Sequence, residues 1–128
     1  DLTGIRILLA EDNELNMEIA LYLLEDRKAR VTPVSNGREA VDTFVKNPRG
    51  SFDIILMDIQ MPVMDGYEAT RKIRSVNRPD AKKIPIIAMT ANAFTEDIQN
   101  ALNVGMTAHV AKPIDMEILR STLEKVLP

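Results

Sequence analysis

Residues 52–66 read Phe52-Asp53-Ile54-Ile55-Leu56-Met57-Asp58-Ile59-Gln60-Met61-Pro62-Val63-Met64-Asp65-Gly66. The run 52–57 is dense in Ile and Leu, interrupted at Asp53, rather than strictly alternating. Strands buried on both faces have this composition, and they belong to parallel sheets. The run ends abruptly in Asp58, and Asp65-Gly66 then turns the chain into a helical pattern carrying Tyr67, Thr70 and Ile73. Four more apolar runs lie at 5–10, 31–35, 84–89 and 106–110. The first and fourth of the five share the dense Ile/Leu character, while Thr107 and His109 blur the last.

Helical patterns separate the runs. Asn13 is placed to cap a helix whose apolar face is Met17, Ala20, Leu21 and Leu24. Asn36 with Glu39 resembles a capping box ahead of Ala40, Val41, Phe44 and Val45. Phe94, Ile98, Ala101 and Leu102 mark a fourth helix that closes near Gly105. Asp115 opens a fifth, with Leu119, Leu123, Val126 and Leu127 on one side. Residues 77–83 read as a polar, basic, proline-containing loop. Five β-α units imply right-handed crossovers and a doubly wound α/β fold with helices on both faces of a parallel sheet. There is no internal repeat and no second domain, so residues 1–128 form one domain.

Composition removes several chemistries. The 128 residues include no cysteine and one histidine, which excludes disulfides, cysteine nucleophiles and multi-histidine metal sites. The net charge of −3 gives no bulk attraction to nucleic acid or anionic lipid. Arg71, Lys72, Arg74, Arg78, Lys82 and Lys83 read as a solvated rim, and without Trp the chain offers little stacking platform for nucleic acid. The longest uncharged stretch, 84–95, contains Pro85 and falls short of the ~18 residues a membrane span needs, so no membrane insertion is expected. No signal-peptide layout is present, and a cytoplasmic location is expected. A start at Asp1 rather than Met reads as a piece of a longer protein.

In an open α/β sheet, ligands bind beyond the carboxyl ends of the strands. Glu11 and Asp12 follow the first run, Asp58 ends the third, Thr90 ends the fourth, and Lys112 lies just past the fifth. The second ends in Ser35-Asn36, which reads simply as a helix cap. If the strand order is 2-1-3-4-5, Glu11, Asp12 and Asp58 converge. Converging carboxylates must protonate or bind a cation. Mg²⁺ suits such a site, since it takes one or two carboxylates and shares phosphate oxygens. A carboxylate can be a nucleophile toward phosphorus, while Mg²⁺, the Lys112 ammonium and the Thr90 hydroxyl each meet one phosphoryl oxygen. Singly, Asp12 reads as a helix-dipole charge and Asp58 as a strand end; it is the set that carries the reading.

These residues resemble the receiver domain of two-component response regulators, whose fold is a flavodoxin-like five-stranded parallel sheet of order 2-1-3-4-5. The likeness is carried by residues 7–13, 53–66, 86–91 and Lys112-Pro113. Residues 58–74 and Met89-Thr90-Ala91-Asn92-Ala93-Phe94 look most like receivers attached to hybrid sensor histidine kinases. The resemblance implies that Asp58 is the phosphoacceptor, and that Asp12 ligates Mg²⁺ directly while Glu11 acts mostly through water. It implies the backbone carbonyl of Gln60 as a further ligand, with Mn²⁺ as a substitute ion. It assigns Thr90 as switch hydroxyl and Lys112 as the phosphate-pairing lysine, and makes the Lys112–Pro113 bond cis. It implies a histidine kinase or a histidine phosphotransfer domain as partner. It further implies a domain that assists its own phosphorylation and slow dephosphorylation, and that is not expected to be an enzyme in the usual sense.

One position departs from the family pattern. Three residues before the lysine, where many receivers carry a mobile Tyr or Phe, stands His109, which reads as a partly buried or interface residue. Alternatives are a stand-alone response regulator, an aspartyl-phosphate phosphohydrolase, a flavin module and a receiver-like domain that is never phosphorylated. Gln60 argues against the hydrolase, which wants a second acid there, and Glu11-Asp12 would repel a flavin phosphate. Leu15 and Met17 are candidates for a docking surface for the phosphodonor.

Overall fold

The computed structural model describes residues 1–91 and 95–127. Five strands, β1 (Arg6–Ala10), β2 (Arg30–Val34), β3 (Ile54–Asp58), β4 (Ile86–Thr90) and β5 (Ala108–Ala111), form one sheet in the order β2-β1-β3-β4-β5. All four neighbouring pairs are parallel. The helices are α1 (Glu14–Asp26), α2 (Gly37–Lys46), α3 (Gly66–Arg74), α4 (Pro79–Lys83), α5 (Thr95–Val104) and α6 (Met116–Val126).

Alternation along the strands divides the core in two, because successive side chains point to opposite faces. Leu8, Ala10, Ile55, Met57, Ile86 and Ala88 meet Ala40 and Phe44 of α2, Ala69 and Ile73 of α3, and Ala101 of α5. Ile7, Leu9, Ile54, Leu56, Ile87 and Met89 meet Ala20 and Leu24 of α1 and Leu119 and Leu123 of α6. β1, β3 and β4 are therefore apolar on both sides, as their dense runs require.

The helix starts follow their capping residues. Asn13 Oδ1 accepts from the Asn16 amide at 2.9 Å, Asn36 Oδ1 from Glu39 at 2.9 Å, and Asp115 Oδ1 from Glu117 at 2.9 Å. The Glu39 carboxylate reaches past Asn36 to the Ser35 amide at 2.9 Å, one residue beyond a standard capping box. Gly105, at φ +105, closes α5. The expected helical position of Phe94, and the motif residues Asn92 and Ala93, lie outside the described residues.

Four expectations need correction. Residues 77–83 are not simply a loop, because Pro79 starts the one-turn helix α4 with its φ already helical and Ala81 is buried. Val45 and Leu102 are about half exposed, since Ala40 with Phe44 and Ala101 already fill their helices' share of the core. Arg74 and Arg78 are not rim charges. Arg74 donates to the carbonyls of Gly105 and Ala81 at 3.0 and 3.1 Å, and burial lowers its pKa. Arg78 lies 4.7 Å over the Phe44 ring, donates to Asn47 O at 2.8 Å and pairs with Asp80 at 3.0 Å. His109, finally, is exposed rather than partly buried, because β5 is an edge strand and turns Val110 inward beside it.

Arg78→Ala should therefore cost about 2–3 kcal/mol, combining a lost cation–π contact with stranded carbonyls and an unpaired Asp80. Urea denaturation checks this; an unchanged midpoint would mean the contacts contribute nothing. Among the described residues, no helix is long and apolar enough to cross a membrane.

Candidate functional site

The site forms where β1 and β3 end side by side. Ala10 is in register with Met57, so the next residues, Glu11 and Asp58, sit at adjacent strand ends. Both are almost fully buried, at 4% and 2% exposure, and Asp12 beside them is exposed. One carboxylate oxygen from each of Glu11, Asp12 and Asp58 lies within 4.8 Å of the others. Lys112, arriving just after β5, places Nζ 3.1 Å from each oxygen of Asp58 and 3.6 Å from Glu11 Oε1.

The charges explain the protonation preferences. Burial is the main force raising the Glu11 carboxyl to about 7; the nearby Asp58 adds to it, against the Asn13 amide and Lys112. Glu11 Oε2 accepts from that amide at 3.1 Å. Lys112 loses some of its charge preference to burial, but Asp58 and Glu11 outweigh this and raise its pKa. Three carboxylates against one ammonium leave an excess of negative charge. This donor set, all oxygen and partly buried, fits a hard divalent cation such as Mg²⁺.

On the α3 side of Asp58 lies a cleft of ≈ 180 Å³ lined by Asp58, Gln60, Thr90 and Lys112. Thr90 is buried at the end of β4, one residue past Met89, the register partner of Asp58. The structure thus brings Glu11, Asp12, Asp58, Gln60, Thr90 and Lys112 to one edge of the sheet. The Lys112–Pro113 bond is cis. His109, in register with Ala88, is not among the cleft-lining residues.

Asp65, Tyr67 and Asp97 also line the cleft. In the sequence Asp65 read as part of a turn and Tyr67 as a helix-face residue, and Asp97 carried no signal. The 59–66 loop shows how Asp65 and Tyr67 get there. Met64 N bonds Pro62 O at 2.7 Å around Val63, whose φ is +69. Gly66 then packs so close that a Cβ on it would lie 2.2 Å from the Asp58 carbonyl oxygen. Only glycine fits there, so Gly66→Ala should displace the Asp58 backbone and cost about 2 kcal/mol. A paired measurement of unfolding and Mg²⁺ affinity checks this, both being expected to fall; wild-type values for both would show that the loop yields freely.

The residues from 7 to 124 match the family model described as the response regulator receiver domain. Histidine kinase 1 of Arabidopsis thaliana is 39% identical to the chain over 95% of its length, but the match spans 13% of that relative. The crystal structure of the receiver domain of a sensor histidine kinase from Pseudomonas aeruginosa, with a magnesium ion coordinated in the active site cleft, superposes with a TM-score of 0.84 at 40% identity; 97% of this chain and 98% of that one are covered. The receiver domain of the response regulator Ssk1 from Saccharomyces cerevisiae, co-crystallised with the histidine phosphotransfer protein Ypd1, gives 0.85 at 28% identity over 98% and 90% of the two chains. The matched span takes in nearly the whole sheet and all but the end of the last helix, and the chain belongs to the response regulator receiver domain family.

Proposed function

We propose that Asp58 accepts a phosphoryl group from a phosphohistidine and that the chain acts as the receiver of a hybrid sensor histidine kinase. The observation that carries this is the clamp on Asp58, with Lys112 Nζ equidistant from its two oxygens at 3.1 Å and Glu11 and Asp12 alongside. Asp12, Asp58 and the Gln60 carbonyl would hold Mg²⁺, with Glu11 acting through water and Mn²⁺ as a substitute. The ion, when bound, neutralises charge on the phosphoryl oxygens during transfer.

The chain's own groups do the rest. One Asp58 oxygen attacks phosphorus, and the bond from phosphorus to the donor nitrogen breaks. Lys112 moves from pairing both Asp58 oxygens to pairing a phosphoryl oxygen as well. The Thr90 hydroxyl donates to another and carries the change into β4 and β5. His109 takes the place of the usual aromatic on β5, where its exposed ring is free to change rotamer. Water later hydrolyses the acyl phosphate. The phosphoryl group ends on the chain itself, so the unit 1–128 works as a switch without turning over an external substrate.

The partner reading rests on α1, which exposes Leu15, Ile19 and Tyr22 at 64%, 45% and 70%. Their i, i+4, i+7 spacing makes one apolar stripe beside the acid cluster, suited to a helix of a histidine phosphotransfer protein. We place the chain in the cytoplasm with its donor. Kinases among its relatives favour the hybrid parent over a stand-alone regulator. Incubation with a small acyl phosphate tests the reaction: a gain of one phosphoryl mass is expected with Mg²⁺ and none with a chelator. A gain that ignores the metal would remove the reading.

A further inference from the structure

We propose that Tyr67 is a positioning residue of the phosphoacceptor site, strapping the first turn of α5 across the mouth of the cleft and so setting how long the phosphoryl group survives. The inference rests on the reading of Asp58 as phosphoacceptor. Tyr67 follows Gly66, the residue seated against the Asp58 carbonyl, and is thereby tied to the phosphoacceptor strand. Its hydroxyl donates to the carbonyl of Asp97 in α5 at 3.3 Å, bridging two helices thirty residues apart. Tyr67 and Asp97 both line the cleft with Asp58, Thr90 and Lys112.

Three features bear on this role. A 3.3 Å O–H···O contact is long, so its effect on the lifetime is modest. Burial, with help from Asp97, Asp65 and Glu96 and against the Asn100 side chain, raises the phenol's pKa, so the donor keeps its proton throughout the neutral range. Asp65 and Asp97 both line the cleft, so a phosphoryl carrying ≈ −1.5 to −2 charge meets like charge there, and the strap holds α5 in place against that repulsion. Among the described residues lining the cleft, Tyr67 is the one aromatic, while His109 stands exposed on the outer strand.

Hydrolysis forms a bond from water oxygen to phosphorus and breaks the bond from phosphorus to Asp58, returning the carboxylate and inorganic phosphate. With the strap in place, α5 limits the approach of that water. Tyr67→Phe keeps the ring and removes the hydroxyl.

The test compares wild type and Tyr67→Phe, each phosphorylated with a small acyl phosphate and Mg²⁺ and then freed of donor. Loss of phosphoryl mass is followed in time, and amide hydrogen exchange in α5 is measured before phosphorylation. The variant is expected to lose its phosphoryl group about two-fold faster, the low end of what one net hydrogen bond is worth. Its α5 amides should also exchange faster, with an unchanged Mg²⁺ affinity. Equal lifetimes in both proteins would overturn the inference, even if the variant is less stable. Absence of any mass gain in wild type would instead remove the Asp58 reading; unchanged α5 exchange in the variant would then overturn the strap independently.

Discussion

Asp58→Asn is expected to take up no phosphoryl group from any donor while remaining folded. The amide keeps the size of the carboxylate but cannot displace a leaving group from phosphorus. Neither Glu11 nor Asp12 is expected to substitute, because Lys112 clamps both oxygens of Asp58 at 3.1 Å and reaches Glu11 only at 3.6 Å. The fold should not suffer. Asp58 is 2% exposed in a cluster of three carboxylates facing one ammonium, so removing one charge relieves repulsion that burial has made costly. In metal-free buffer at neutral pH the unfolding midpoint of Asp58→Asn is expected to equal or exceed that of wild type. A variant that neither folds nor accepts phosphoryl would leave Asp58 a structural residue and contradict this view of the site.

The second large effect concerns pH and metal together. Glu11 titrates at about 7 in the folded chain against an ordinary value of 4.5. Between these values the folded form holds a proton that the unfolded form has released. Stability therefore falls as pH rises through that window and levels off above it. A gap of this size amounts to on the order of 3 kcal/mol, since each pH unit is worth 1.36 kcal/mol. Urea unfolding with a chelator should show the metal-free chain more stable near pH 5 than near pH 7.5. Saturating Mg²⁺ should reverse the trend, because a cation favours the ionised cluster and stabilises only the folded form. A metal-free stability that rises over the same range would show that Glu11 is not held protonated by burial.

Much of the site was legible because its residues are defined by where strands end. Asp58 terminates an apolar run, and Glu11, Asp12, Thr90 and Lys112 sit at corresponding places on its neighbours, so strand order alone makes them converge. Asn13, Asn36 and Asp115 announced their helices because capping is a local interaction. What escaped the sequence depends on packing between distant segments. Tyr67 meets Asp97 only because α3 and α5 lie on the same face of the sheet. Arg78 looked like a surface charge until α4 folded it back over Phe44 and the end of α2. α4 itself is five residues long, too short for periodicity to distinguish from a polar loop.

The most direct test of the site is transfer from protein to protein. A histidine phosphotransfer protein carrying a labelled phosphoryl group is mixed with the chain and Mg²⁺, and the labelled peptides are mapped. The expected result is label on the peptide containing Asp58, lost entirely in Asp58→Asn. Label on any other residue, or equal labelling of the variant, would contradict the assignment of Asp58 as the phosphoacceptor.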